Sequence, residues 1–383
     1  MFYITTKLPV MYSQMSLEDF MFDTYPANKT VRNTDETATR TIEVESISES
    51  YVKRKHHPLY LCNLLEKFNL RYEDLFEKER SSLYRTFYIP KKSGGLRRID
   101  APNDELKNAL RELKNIFEEK FDALYHTNAY AYIKKRGTIK DIKRHTYNQS
   151  RWYGKYDLSN FFGSTTKEYV LHMLGMIYPF CELKNDEFCW NALSKALDLA
   201  FLNGGLPQGT PLSPLLTNLI MIPVDYKLTT ELRDHNKQHF VYTRYADDFI
   251  ISSVYDFDYK EIESLIKNTL RDFGAPFTIN SKKTRYGSSA GANWNLGVMV
   301  NSDNEITIGH KKKRQFQAMV SSYIMDYKNG IRWDKSDVQV LDGLRNYYRM
   351  VEGTTIDNIL NHLGNKFGVN ISELIKSDLK LPG

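Results

Sequence analysis

Val241-Tyr242-Thr243-Arg244-Tyr245-Ala246-Asp247-Asp248-Phe249-Ile250-Ile251-Ser252-Ser253-Val254 is the stretch whose reading decides the fold. β-Branched and aromatic residues on both sides of a short polar centre predict strand, tight turn, strand. Two adjacent carboxylates at the turn of an apolar hairpin repel each other, and burying either one unpaired is costly. Divalent cations make such a pair tolerable. Oxygen ligands with no Cys or His nearby point to Mg²⁺. The same residues also fit a plain Asp-Asp turn at the surface, so the reading needs support from elsewhere in the chain.

Ninety positions upstream, Lys155-Tyr156-Asp157-Leu158-Ser159-Asn160-Phe161-Phe162 reads as a strand that ends on an acid and then turns aromatic. Carboxylates from two strands are what a pair of divalent cations about 4 Å apart requires, one activating an attacking hydroxyl and one holding a departing pyrophosphate. Asp157 and Asp247 are the residues that could supply them. Between them, Gly205-Leu206-Pro207-Gln208-Gly209-Thr210-Pro211-Leu212-Ser213-Pro214 packs glycines and prolines ahead of a helix. That density predicts a rigid loop with exposed amides, suited to lying along a nucleotide or a template strand. A simple helix-entry loop is the plainer alternative.

Further out, apolar spacing predicts helices over Leu59–Arg80, Asn103–Leu124, Pro214–Leu228 and Asp256–Phe273, with Phe180–Leu202 mostly helical. Arg85–Pro90 and Leu96–Asp100 read as strands joined by a Lys91-Lys92-Ser93-Gly94-Gly95 turn. Residues 293–308 read as a hairpin turning at Asn301–Asn304, and Lys311–Gly383 as mostly helical. Residues 24–50, rich in Thr, Ser, Glu and Asn, read as a loop or a loosely packed extension. Helices and hairpins without regular βα alternation place the chain in the α+β class.

Length and composition bound the rest. With 383 residues the chain has room for two or three packed units. At 41% hydrophobic and 26% charged it is not a disordered sequence. No apolar run is long enough to cross a membrane, and the first residues do not read as a signal peptide. Cys62, Cys181 and Cys189 follow no metal spacing and, being an odd few, suggest no disulfide framework, so a reducing cytoplasm is expected. The net charge of +6 is mild, but Lys134–Lys155 holds eight Lys and Arg against the single acid Asp141. Such a run is either a solvated face or the footprint of a polyanion. The 26 tyrosines and 20 phenylalanines suit base stacking as well as an ordinary core.

Together and in this order, the motifs resemble the reverse transcriptase family over roughly residues 85–350. Asp157-x-x-x-x-Phe162 is similar to its first catalytic block. Pro207-Gln208-Gly209 to Ser213-Pro214 is similar to its template and nucleotide loop. Tyr245-Ala246-Asp247-Asp248 looks like its signature hairpin, and Pro90–Arg97 like its fingers hairpin. Asn280-Ser281-Lys282-Lys283-Thr284 resembles the block after the hairpin, and Asn295-Leu296-Gly297-Val298 the primer grip.

The resemblance implies a right-hand polymerase: residues 1–84 as an N-terminal extension, 85–155 as fingers, and 156–300 as palm, with finger–palm helices over 165–204. The end of the primer grip and a helical thumb then occupy 301–383. It implies that Asp157, Asp247 and Asp248 hold two Mg²⁺ ions, with Mn²⁺ as an alternative and the Leu158 carbonyl as an added ligand. Arg97 with Lys91 or Lys92 would neutralise the incoming triphosphate, and Arg98 should face the opposite side of its strand. Gln208 would line the nucleotide pocket. Lys283, with Lys282 as its rival, would donate a proton to pyrophosphate. Phe162 would be the sugar gate that excludes a 2′-hydroxyl, so that the product is DNA, with Phe161 as the alternative gate. Leu296, Gly297 and Val298 would form the primer grip. Lys134, Lys135 and Arg136, and Lys311, Lys312, Lys313 and Arg314, would contact nucleic-acid backbone.

The implied partners are a noncoding RNA template, the DNA product strand and dNTPs, with a partner protein or a second copy of the chain as a further one. The compact build resembles bacterial retron and defence-associated enzymes acting against phage. Retrons usually show Asn-Ala-x-x-His and Val-Thr-Gly; this chain has Asp141-Ile142-Lys143-Arg144-His145 and Asn295-Leu296-Gly297 instead. The departures rank the non-retron group first, a retron second and a CRISPR-associated enzyme third. Two other readings stay open: untemplated or protein-primed DNA synthesis, and an RNA-binding scaffold with a vestigial site.

Overall fold

The computed structural model describes residues 58–91, 94–121, 125–234, 239–289 and 294–380. The extension read over 24–50, and Lys92 in the fingers turn, lie outside the described residues. The chain divides into two compact units. Of the described residues, one gathers those up to His126 with Asn160–Tyr226 and Thr269–Phe277; the other gathers those of Thr127–Ser159, Lys227–Asn268 and from Thr278 onward.

Helices dominate the first unit. The expected helix over Leu59–Arg80 forms as Pro58–Arg71 and Glu73–Glu77, interrupted at Tyr72. Its apolar stripe of Leu61, Leu65 and Phe68 is buried, and it packs against the helices Asp104–Phe121 and Glu187–Asp198. Packing also corrects the cysteine reading. Cys62 and Cys189 are joined in a disulfide, with Cα atoms 5.1 Å apart, and Cys181 is free. An odd count argues against a framework, but two helices that bury facing cysteines can still make one pair. In the same unit β1 (Tyr84–Pro90) and β2 (Leu96–Pro102) form the expected antiparallel hairpin, with Pro90 opposite Leu96. All of β1 after Tyr84 is exposed.

The second unit holds a four-stranded antiparallel sheet in the order β4-β5-β3-β6. Its strands are β3 (Trp152–Asp157), β4 (Val241–Tyr245), β5 (Asp248–Ser253) and β6 (Arg285–Ser288). Phe249 to Ser253 are all buried, which is why β5 reads as a nearly continuous apolar run rather than an alternating one. The helix Thr138–Tyr147 packs on β4. It has no counterpart among the expected helices: its inner face carries Ile139 and Ile142 as its only aliphatic residues, and Asp141 and His145 complete it. Residues 127–155, placed with the fingers by sequence, therefore group with the sheet that carries the acids.

Further along, β7 (Trp294–Asn295), β8 (Val298–Val300) and β9 (Ile306–Thr307) make a small antiparallel sheet. The expected turn at Asn301–Asn304 joins β8 to β9. A second, tighter turn at Leu296-Gly297 joins β7 to β8, both residues having positive φ (49° and 86°), as a two-residue type I′ hairpin demands. The helices His310–Lys328, Lys335–Phe367 and Ile371–Lys380 close around Phe316, Val320, Tyr323, Leu341 and Ile356. The long helix breaks at Glu352 (φ −139°, ψ 64°). Among the described residues no helix is long and apolar enough to cross a membrane.

Candidate active site

The register of the sheet assembles the acids. β3 and β5 are neighbours, and Asp157 pairs directly with Asp248. Tyr245 pairs with the same Asp248, which leaves Ala246 and Asp247 as the turn. Backbone bonds seal this end of the sheet. The Leu158 N–H donates to the Asp247 carbonyl (3.0 Å), and the Asn280 N–H to the Asp157 carbonyl (2.7 Å). Asp157 is buried.

Lysines meet two of the three carboxylates. Lys282 and Lys283 are both exposed, and Lys283 is the one whose Nζ reaches the acids, 2.9 and 3.0 Å from the two Asp157 oxygens. Lys155 Nζ lies 2.9 Å from Asp248 Oδ2. The sequence reading missed Lys155. The available signal was its place two residues before Asp157, on the same face of a strand. Asp248 Oδ1 is buried with no hydrogen-bond partner. Burial, followed by the neighbouring Asp248, pushes the Asp247 carboxyl up from 3.8 to about 6. Burial likewise raises Asp248, against the pull of Lys155. The Asp157 carboxylate in turn raises Lys283.

Two ammonium groups thus face three carboxylates, which leaves the set one positive charge short when all three are ionised, and the buried Asp248 Oδ1 has no hydrogen-bond partner. An all-oxygen, under-neutralised set of this kind fits a hard divalent cation. Among the described residues no group of three His, Cys, Asp or Glu side chains is already disposed around one point as metal ligands; Lys283 and Lys155 occupy two of the acids.

Behind the hairpin, β4 and β5 are braced by a buried polar network. Thr243 Oγ1 donates to Asp141 Oδ1 (2.5 Å) and contacts His145 Nε2 (2.7 Å). His145 Nδ1 lies 2.6 Å from Ser252 Oγ, which in turn donates to Ser150 Oγ (2.8 Å). Asp141 and His145, the residues that depart from or match the retron pattern, are therefore internal to this unit.

In the first unit the glycine-rich loop is held by close backbone approach. A Cβ on Gly205 would stand 2.2 Å from the Gly163 carbonyl oxygen. Gly209 has φ 125°, and a Cβ there would stand 3.0 Å from the Asp100 carbonyl. The Asp100 N–H donates to the Gln208 carbonyl (2.9 Å), and the Leu206 N–H to the Phe162 carbonyl (3.0 Å). A cavity of about 240 Å³ opens here, lined by Arg98, Asp100, Asn160, Asn203 and Gln208 among others. Arg98 Nε is 2.9 Å from Asp100 Oδ1. Arg97 and Arg98 alternate along β2 as expected, but the cavity is on the Arg98 side; Arg97 is exposed opposite Ile89. Burial separates the two residues expected as alternatives for the sugar gate: Phe161 is in the core against Phe277, whereas Phe162 is half-buried.

The expected nucleic-acid contacts divide. Lys134, Lys135, Lys311 and Arg314 are exposed, as is Lys91. The others have bonds within the protein. Arg136 Nη1 donates to the Ala129 carbonyl (2.6 Å). Lys312 Nζ donates to the Gly297 carbonyl (2.7 Å), and Lys313 pairs with Glu352 (2.5 Å). Glu352 also accepts from Thr307 Oγ1 and the Ile308 N–H. Of the residues expected to form a primer grip, Leu296 and Gly297 form the tight turn and Val298 is fully buried.

The family model for reverse transcriptase (RNA-dependent DNA polymerase) matches residues 89–319. The chain is 30% identical over 240 residues to the retron Ec73 reverse transcriptase of Escherichia coli, covering 61% of this chain and 73% of that one. It is 26% identical over 324 residues to the retron Ec83 reverse transcriptase of the same organism, covering 82% and 96%. These relatives are retron enzymes, the reading ranked second on sequence. Among solved structures, apo telomerase from Candida tropicalis aligns at 15% identity with a TM-score of 0.41, covering 79% of this chain and 62% of that one.

Proposed function

Starting from a chain that belongs to the reverse transcriptase family, with the right-hand fold and RNA-directed DNA polymerase activity of that family, we propose that it copies a dedicated noncoding RNA into DNA in the bacterial cytoplasm, in antiphage defence. Asp157, Asp247 and Asp248 hold two divalent cations, Mg²⁺ by preference. The observation that carries this reading is the charge deficit at one end of the sheet: paired acids, a carboxyl pushed up to about 6, and a buried oxygen with no partner.

When bound, the ions supply the charge neutralisation that nucleotidyl transfer needs. The chain's own groups do the remainder. Lys283, already at the acid cluster, is the group that gives a proton to the departing pyrophosphate. Gln208 and the half-buried ring of Phe162 shape the sugar side of the nucleotide site, so deoxyribonucleotides are selected. Lys91 neutralises the triphosphate with an arginine of β2: Arg97 by the motif, Arg98 by its place in the cavity beside Gln208. Leu296-Gly297-Val298 grips the primer end. Lys134, Lys135, Lys311 and Arg314 bind RNA or duplex backbone.

A second reading, RNA-linked DNA made in the retron manner, is favoured by the names of the matching relatives. One experiment separates the readings. Protein purified from cells carrying its locus is given labelled dNTPs and Mg²⁺, with and without prior RNase. Synthesis only in the untreated half supports copying of a co-purified RNA, and label that stays attached to RNA after denaturation supports the retron reading. Equal synthesis in both halves points to untemplated or protein-primed synthesis. Failure even on added primed RNA leaves the scaffold.

A further inference from the structure

Arg244 is a fully buried arginine one residue ahead of the acidic hairpin's motif. Removing a guanidinium from water is costly unless specific bonds hold it. Its Nη1 donates to the Ala246 carbonyl at 3.1 Å. Ala246 is the first turn residue and has φ 57°, in the left-handed region that a side chain disfavours. A positive φ at the first position of a two-residue hairpin turn is where glycine is usual. This chain has alanine there, so an outside contact is needed to keep the turn.

The base of the arginine is itself fixed. Arg244 pairs with Phe249 in β5. On its other edge its N–H donates to the Asn128 carbonyl (2.7 Å), and its carbonyl accepts from the Tyr130 N–H (2.9 Å). Arg136 holds the intervening Ala129 carbonyl. The turn carbonyls then have separate donors: Arg244 for Ala246, and the Leu158 N–H for Asp247.

We propose that Arg244 is a positioning residue for the reaction: by holding the left-handed backbone at Ala246 it fixes where Asp247 and Asp248 present their carboxylates. The inference rests on the reading of those acids as the catalytic centre. A misplacement of about 1 Å in such a centre can cost about a hundredfold in rate. A lysine at 244 keeps the charge but lacks the planar reach of the guanidinium.

The test is steady-state primer extension on primed RNA, with circular dichroism to confirm folding. Arg244→Lys is expected to lower kcat by about tenfold or more while the KM for dNTP moves little. It should also raise the Mg²⁺ concentration needed for half-maximal rate. Adding Ala246→Gly, which relieves the left-handed backbone, should recover much of the lost kcat. An arginine that merely fills the core would lose stability in Arg244→Lys, with no kcat recovery from the glycine. A folded Arg244→Lys with wild-type kcat, or a double variant no faster than the single, overturns the proposal. If Arg244→Lys does not fold, Ala246→Val in the wild-type chain takes its place: a β-branched residue resists the left-handed turn, so kcat should fall, and full kcat overturns the proposal. Asp247→Ala is the control. Activity in that variant defeats the reading of the acids themselves, whatever Arg244 does.

Discussion

The acidic end of the β3–β5 pair and the glycine-rich loop of the first unit are built on opposite principles. The acids are brought together by strand register and then left short of positive charge, with Asp248 Oδ1 buried and unbonded. The loop carries little charge and is held by backbone contact, Gly205 against Gly163 and Gly209 against Asp100. The first region stores an electrostatic cost that a cation would relieve. The second stores none and depends on side chains being absent. Changes at the acids should therefore alter chemistry and ion response while sparing the fold, and a side chain added at the loop glycines Gly205 or Gly209 should cost stability.

The largest effect should come from Asp247→Ala, which removes a proposed ion ligand. Primer extension should fall by about a thousandfold, several kcal/mol of transition-state stabilisation, with circular dichroism unchanged. Loss of folding instead would erase the contrast between the regions. Next, Gly205→Ala drives a methyl into the Gly163 carbonyl. Denaturant unfolding should show a loss of about 3 kcal/mol. A variant as stable as the wild type would mean that the close approach is not required.

Phe162→Ala should admit ribonucleotides, lowering the dNTP-over-NTP ratio of kcat/KM by about ten- to a hundredfold. An unchanged ratio would move the gate away from Phe162. A smaller effect sharpens the electrostatic side. Asp247 sits at about 6 in the fold against an ordinary 3.8. A raised carboxyl favours the folded state while protonated, so the contribution of Asp247 to stability without added ions is fully present below 3.8 and is lost as pH rises through 6. Asp247→Asn should remove that cost, stabilising the chelator-treated protein at pH 8 by on the order of 1 kcal/mol and not at pH 3.5. A gain equal at both pH values would contradict the burial argument. Smallest of all, Lys134→Glu with Lys135→Glu should flatten the salt dependence of RNA binding by about two phosphate contacts; an unaltered slope would make that stretch a solvated face.

Sequence reasoning reached the local features and stopped where distant segments meet. The acidic hairpin and the β1–β2 hairpin were legible because turn chemistry and apolar spacing are encoded within a few residues, whereas the single helix expected over Pro214–Leu228 forms as two, Ser213–Ile220 and Ile222–Asp234. The helix Thr138–Tyr147 was not, since its buried face is completed by a polar network with Thr243 and Ser252. The Cys62–Cys189 pair, 127 residues apart, depends on which helices face each other. Lys312 and Lys313 look like nucleic-acid contacts in sequence because a run of cations does not show which members have internal partners. Lys155 and Arg244 escaped for a related reason: one depends on strand register, the other on the backbone angle of a neighbour.

The most direct test of the charge deficit is a thermal unfolding series with rising Mg²⁺ on metal-stripped wild type and Asp247→Asn at pH 8. The wild type should gain stability with each increment and saturate, as binding to the folded state alone requires, while Asp247→Asn should respond far more weakly. Equal responses in the two proteins, or none in the wild type, would contradict the claim that these acids are the cation site.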